Sequence, residues 1–211
     1  AFKIPFATSG STGIPLSFFL DKNMSTRRLA IYRRTLNWAG KSKDDLVIRL
    51  FRRELPGVEP EGILFPCNGP EDLDAKVDQL LGLLTEKVIL HGQTSVLIRL
   101  AQLLEKNRKK IKLRALINAS ETLHTEARLY LEKAFETQVF DYYGSNELPQ
   151  IAQECEFRNG LHVNNEWVYL EIVDDDGRTV APGKVGNIVV TFFENEIMPF
   201  IKYQTGDRGR F

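Results

Sequence analysis

Three short segments hold residue types able to do chemistry. In "ATSGSTGIP", residues 7–15, Gly10 and Gly13 stand among the hydroxyls of Thr8, Ser9, Ser11 and Thr12. Glycines let backbone N–H groups converge with no Cβ in the way and the hydroxyls add donors, so this stretch is able to wrap a polyphosphate. It matches neither the Gly-Lys-Ser/Thr loop of the common nucleotide-binding motif nor the Gly-x-Gly-x-x-Gly dinucleotide turn, and a flexible Ser/Gly linker has the same composition. In "YYGSNE", Tyr142 to Glu147, Tyr143 offers a ring for a base to stack on, Gly144 a turn and Glu147 the oxygen ligand that Mg²⁺ takes beside phosphates. The plain alternative is a core tyrosine and a surface glutamate at a turn. In "PFIKYQTGD", Pro199 to Asp207, Gly206 gives a tight turn and Asp207 can accept two hydrogen bonds, as a carboxylate does on a ribose diol. By itself Thr-Gly-Asp is also an ordinary turn.

Two weaker features lie outside these segments. His91 stands in "LHGQTS", where a ligand contact and a satisfied structural histidine are both open readings. Cys155 and His162 lie seven apart beside Glu154 and invite zinc, yet the chain has only 2 cysteines and 3 histidines, without paired-ligand spacing for a closed site.

The elements that must position these residues follow from periodicity. Asp21 can cap a helix over 22–38, with Met24, Ile31, Thr35 and Trp38 near one stripe and Gly40 as the stop. The runs at 45–51 and 62–66 are short, apolar and bounded by Gly, Pro or Asp, so they read as strands. Pro70 opens a helix in which Leu73, Val77, Leu80, Leu81 and Leu84 recur at the 3.6 period. A strand at 87–90, a helix from Thr94, a strand at 113–118, a helix over 123–135 and a strand at 138–143 come next. This alternation predicts an α/β fold with a parallel sheet covered by helices. After Gly144, strand runs with Asp-Asp-Gly and Pro-Gly turns predict a β-rich antiparallel segment. The expected division is 1–148 and 149–211 within one large domain. YYGSNE directly follows a predicted parallel strand, and ligands of open α/β sheets bind beyond the carboxyl ends of strands.

Composition narrows the classes. Lys plus Arg number 28 and Asp plus Glu 28, so no net field draws the chain to nucleic acid or an anionic membrane. The basic run 106–112 suits a solvated helix C-terminus. No apolar run approaches the roughly 20 residues of a membrane span, and two cysteines make no disulfide framework, so a soluble protein of the reducing cytoplasm is the expectation. Nothing in the sequence speaks to oligomeric state. The chain opens at Ala1 without Met and stops just after a turn-rich segment, which suggests a piece of something longer.

"TSGSTGIP", "YYGSNE" and "YQTGD" together, in this order, resemble the phosphate-loop, "YGxTE" and "Y-x-T-G-D" motifs of the adenylate-forming superfamily of acyl-CoA ligases. The residues at 154–178 resemble the branch of phenylacetate-CoA ligases and related capsular polysaccharide biosynthesis proteins, and "NASETL" at 118–123 resembles the superfamily's adenine-side loop. The resemblance implies ATP and Mg²⁺ as ligands, with coenzyme A as a possible acceptor and a carboxylic acid as substrate. It implies that Thr8, Ser9, Gly10, Ser11, Thr12 and Gly13 embrace the β and γ phosphates, that Ser120 and Glu121 border the adenine, and that Tyr143, beside Gly144, stacks on it. Glu147 ligates Mg²⁺, Asn146 donates to the α-phosphate, Asp207 holds the ribose, and His91 lies where the acyl pocket is shaped.

There are departures. The family's Lys after the loop proline is Leu16, its Thr before the glutamate is Asn146, and a common Glu is Asn187. Its small C-terminal domain with a lysine contacting the reacting groups, and an N-terminal portion, are expected beyond this sequence. Loss of one preorganised donor in an oxyanion hole costs about 2.7 to 4 kcal/mol, so the 211 residues alone are expected to bind nucleotide weakly and adenylate little. Two rival readings are a non-catalytic nucleotide or acyl-binding module and a structural or partner-binding domain.

Overall fold

Strand and helix alternate from Leu46 onward, and the strands line up in parallel as expected. In a computed structural model, residues 3–7, 16–21, 24–53 and 61–211 are described. A hairpin of β1 (Lys3–Ala7) and β2 (Ser17–Asp21) precedes α1 (Met24–Trp38). Then follow β3 (Leu46–Phe51), β4 (Ile63–Pro66), α2 (Pro70–Asp74), α3 (Val77–Leu81), β5 (Val88–Gly92), α4 (Thr94–Lys106), β6 (Ala115–Asn118), α5 (Thr125–Phe135) and β7 (Val139–Tyr143). Two short strands, β8 (Ala152–Gln153) and β9 (His162–Val163), extend the same sheet, giving the order β4-β3-β5-β6-β7-β8-β9 with its last two pairings antiparallel. β10 (Tyr169–Val173), β11 (Gly186–Phe192) and β12 (Phe200–Gly209) form a separate antiparallel sheet.

The two-residue strand period sorts the core onto two faces. Ile48, Leu50, Leu90, Leu116 and Val139 point to one side, where they meet Leu97, Leu100 and Leu104 of α4, Leu73 and Leu80 of the helical turns, and Leu131 and Phe135 of α5. Val47, Ile89, Ala115, Ile117 and Phe140 point to the other and meet Tyr32, Leu36 and Ala39 of α1. Each fully buried leucine contributes about 1.5–3 kcal/mol. A further core, under the small sheet, joins Phe18, Met24 and Ile31 to Leu148, Ile151, Trp167, Phe192 and Phe200. Gly40 ends α1 at φ +76, with Lys41 N–H reaching back to Leu36 O, the left-handed stop expected of it.

Four details differ from the periodic reading. The helix from Pro70 is broken into α2 and α3: Lys76 N–H bonds Leu73 O three residues back, and its ammonium folds onto Asp72 and the Pro66 carbonyl. Asp21 ends β2, paired with Lys3, and the expected helix start at Lys22 and Asn23 lies outside the described residues. The β1–β2 hairpin is new. The main sheet runs past residue 148, to Val163. Among the described residues, no helix is long and apolar enough to cross a membrane, and Cys67 and Cys155 are free thiols.

Candidate nucleotide site

β7 brings Tyr142 and Tyr143 to its C-terminal end on opposite faces of the sheet. The chain then turns at Gly144, with Ser145 N–H donating to Leu148 O and Leu148 N–H to Ser145 Oγ. A Cβ at Gly144 would lie 2.7 Å from Gln150 N and 3.1 Å from Leu148 O, so only glycine lets the returning backbone pass this close. Leu148 and Ile151 anchor that return in the core, which buries Glu147 (8% exposed) and leaves Asn146 in solvent.

Across from this turn, alternation along β12 sets Tyr203, Thr205 and Asp207 in one row. The Tyr143 hydroxyl donates to Asp207 Oδ2 at 2.7 Å and approaches Thr205 Oγ1 at 3.3 Å. The Tyr203 hydroxyl donates to Glu147 Oε1 at 3.1 Å. Burial pushes the Tyr143 phenol well above the ordinary tyrosine range, with the Asp207 and Glu147 charges adding to it, and burial followed by Glu147 raises Tyr203. Both phenols therefore stay protonated and act as donors. Each carboxylate keeps a second oxygen, Glu147 Oε2 and Asp207 Oδ1, that takes no hydrogen bond from the described residues. Such a pair of free oxygens suits a hard cation at the buried carboxylate and a diol at the exposed one.

Thr8, Ser9, Gly10, Ser11, Thr12 and Gly13 lie outside the described residues. Their neighbours are placed: β1 and β2 close a hairpin at Ala7↔Ser17. Leu16 packs against the same core that Tyr143, Leu148 and Tyr203 join, and Asn195 Nδ2 donates to Phe19 O at 2.6 Å, tying β2 to the β11–β12 turn.

Ser120 and Glu121 sit past the end of β6, the neighbour of β7, with Ser120 exposed at φ +67. The Glu121 carboxylate accepts from Ser95 N–H at 2.7 Å and Ser95 Oγ at 2.8 Å, capping α4 from outside. Buried Asn118 braces this loop: its Oδ1 accepts from Thr94 Oγ1 at 2.5 Å, and its Nδ2 donates to Glu121 O and Asp141 Oδ1. Asn118, Tyr203 and Thr205 were not singled out from the sequence, although alternate spacing back from Asp207 in "YQTGD" points to the last two.

His91 stands on the α1 face, opposite Tyr143. It is buried, with Tyr32 OH 3.0 Å from Nδ1 and Tyr32, Phe51 and Tyr142 around its ring. Burial, with Arg49 adding, pushes its pKa down to about 3, so the imidazole is neutral. Cys155 Sγ and His162 Nε2 do meet, at 3.2 Å. Glu154 is turned away to Arg128 and the Asp141 N–H, and no third ligand joins them among the described residues. Asn187 is engaged with Asp175.

No protein-family model matches the chain. Over 97% of its length it is 28% identical to the phenylacetate-coenzyme A ligase of Pseudomonas putida and covers 49% of that protein. The phenylacetate-coenzyme A ligase of Escherichia coli strain K12 is likewise 28% identical over 97% of the chain, which covers 50% of it. The chain thus spans about half the length of these curated relatives. Among solved structures, an open conformation of 2-hydroxyisobutyryl-CoA ligase in complex with 2-HIB-AMP and CoA superposes with a TM-score of 0.82 at 19% identity, covering 97% of this chain and 48% of that one. Over nearly its whole length the chain is thus similar to phenylacetate-coenzyme A ligases, and its fold is that of the acyl-CoA ligases.

Proposed function

We propose that the protein of which this chain forms a large part activates a carboxylic acid with ATP and passes the acyl group to coenzyme A. A carboxylate oxygen attacks the α-phosphorus, the bond to pyrophosphate breaks, and an acyl adenylate results. A thiolate then attacks the acyl carbon and AMP departs. Two anions must meet in the first step, so catalysis rests on positioning and charge stabilisation.

The observation that carries the reading is the closure of two motifs far apart in sequence, Tyr143 onto Asp207 at 2.7 Å and Tyr203 onto Glu147 at 3.1 Å. Asp207 holds the ribose hydroxyls, Tyr143 presents its ring to the adenine, and the Ser120–Glu121 loop, braced by Asn118, borders it. Asn146 donates its amide to the α-phosphate, and the 8–13 loop supplies N–H and hydroxyl donors to the β and γ phosphates. Glu147 Oε2 is the oxygen offered to Mg²⁺, which when bound neutralises charge on the departing pyrophosphate. Homology to proteins named phenylacetate-coenzyme A ligase supports the thiol acceptor and the acid substrate.

ATP–pyrophosphate exchange by the full-length protein across a panel of carboxylic acids tests this. Exchange should depend on an acid and fall by about a hundredfold in Glu147→Gln. ATP binding without exchange on any acid would mark a non-catalytic module instead.

A further inference from the structure

The layer between α1 and the sheet contains charge that its surroundings do not answer. Helix α1 carries four arginines, and three reach glutamates: Arg27 pairs with Glu194, Arg33 with Glu61 and Arg34 with Glu166. Arg28 points inward, is only 9% exposed, and makes no hydrogen bond or ion pair with any described residue, its Nη1 being wholly enclosed. His91, 6% exposed, lies on the same face of the sheet, where Arg49 is the cation that acts on it. The Tyr32 hydroxyl lies 3.0 Å from Nδ1, and Nε2 is enclosed without a partner among the described residues, so the tautomer protonated at Nε2 holds a donor there.

Tyr142 connects the two groups. Its ring lies edge-on to His91 at 5.6 Å, and its phenol is close enough to Arg28 for the guanidinium to act on it electrostatically. Phe51 and Tyr32 complete the wall around His91 at 5.0 and 5.6 Å. Buried polar groups in native proteins are nearly always paired, and an enclosed guanidinium without a carboxylate is among the costliest exceptions. The core on the other face of the same sheet is built from leucine, isoleucine and valine with Phe65, Phe135, Ala101 and Cys67. The cost is repaid when a ligand brings an anion. Tyr142 immediately precedes Tyr143 on β7, so this cation-bearing layer and the candidate nucleotide site reach one strand end from opposite faces of the sheet.

We propose that Arg28 and His91 form an acyl subsite that receives a second carboxylate, so that the acid activated is a dicarboxylic acid rather than a simple monocarboxylic one. This rests on the acid-activating reading above. The guanidinium Nη1–H and the imidazole Nε2–H supply two donors to the distal carboxylate, and the first carboxylate is left to reach the α-phosphate.

The test uses the full-length protein and three length-matched pairs: malonate with propanoate, succinate with butyrate, and glutarate with pentanoate. In pyrophosphate exchange, the diacid should be preferred by about tenfold or more in kcat/KM in at least one pair. Arg28→Met should erase the preference by a loss of about 30-fold on the diacid, leaving the monoacid within about threefold. His91→Leu should lose about tenfold on the diacid alone, and serves on its own should Arg28→Met fail to fold. ATP affinity, titrated in parallel, should be unchanged in both. Equal or better use of the monoacid in every pair overturns the proposal, as does a variant that lowers both members of a pair alike. Exchange with none of the six acids while ATP still binds also overturns it. A full-length protein that fails to bind ATP overturns the activating reading itself, a different outcome from loss of diacid preference.

Discussion

The two faces of the parallel sheet are built to different rules. Toward α4 and α5 the interior is mainly aliphatic, with Phe65 and Phe135, and its buried polar Asn118 at the strand end is fully partnered. Toward α1 the same strands present Arg49, His91 and Tyr142 in line with Val47, Ile89 and Phe140, and α1 answers with Arg28 and Tyr32. Strand alternation alone produces this split, since neighbours along one strand go to opposite faces. One face maximises stability, and the other keeps polar groups buried at a cost to it. Arg28 is the charge of that face with no hydrogen bond or ion pair among the described residues, and the proposed acyl subsite is built on it.

The largest effect should come from the aliphatic face. Leu90→Ala there removes a fully buried side chain and should lower unfolding free energy by about 2–5 kcal/mol, read from the urea midpoint. The polar face should respond to pH. The His91 pKa is about 3 in the fold against 6.5 for the ordinary group. The unfolded chain therefore takes up the proton first, and stability contributed by neutral His91 is complete above pH 6.5 and is lost as pH falls toward 3. The slope reaches about 1.4 kcal/mol per pH unit; it should be absent from His91→Leu and so appear in the difference between wild type and that variant, followed by urea denaturation from pH 7.5 to 5. Arg28→Met should move in the opposite direction to Leu90→Ala, raising stability by about 1 kcal/mol because an unpaired buried donor goes. A loss like that at Leu90 would erase the contrast between the faces. Smallest of all, Tyr203→Phe removes one partly exposed hydrogen bond to Glu147 and should cost about 0.5–1.5 kcal/mol in the same urea titration, without a shift in its slope.

The sheet was legible from sequence because strand runs such as 45–51 and 113–118 are short, apolar and spaced by helical periods. Of the three motifs behind the candidate site, YYGSNE and YQTGD meet in the fold, while residues 8–13 of the first lie outside the described residues. The break between α2 and α3 was not, since Leu73 and Leu80, seven apart, fall on one side of a helix whether or not it is continuous. The β1–β2 hairpin escaped because "KIPFA" carries a proline and reads as a flank of the hydroxylated loop. Arg28 could not be told from Arg27, Arg33 and Arg34 by type or spacing. Only the packing of α1 on the sheet buries one of the four and leaves the others to surface glutamates. Likewise Glu121 looks like a free acid in "NASETL", and the fold spends its carboxylate on the start of α4.

The proposal that Tyr143, Glu147, Tyr203 and Asp207 serve one nucleotide is tested most directly by calorimetric titration of the full-length protein with ATP and Mg²⁺. Asp207→Ala should weaken binding by at least about tenfold through the lost ribose contacts, and Glu147→Gln should weaken the Mg²⁺-dependent part of the heat. Binding equal to wild type in both variants would contradict a shared site at these strand ends.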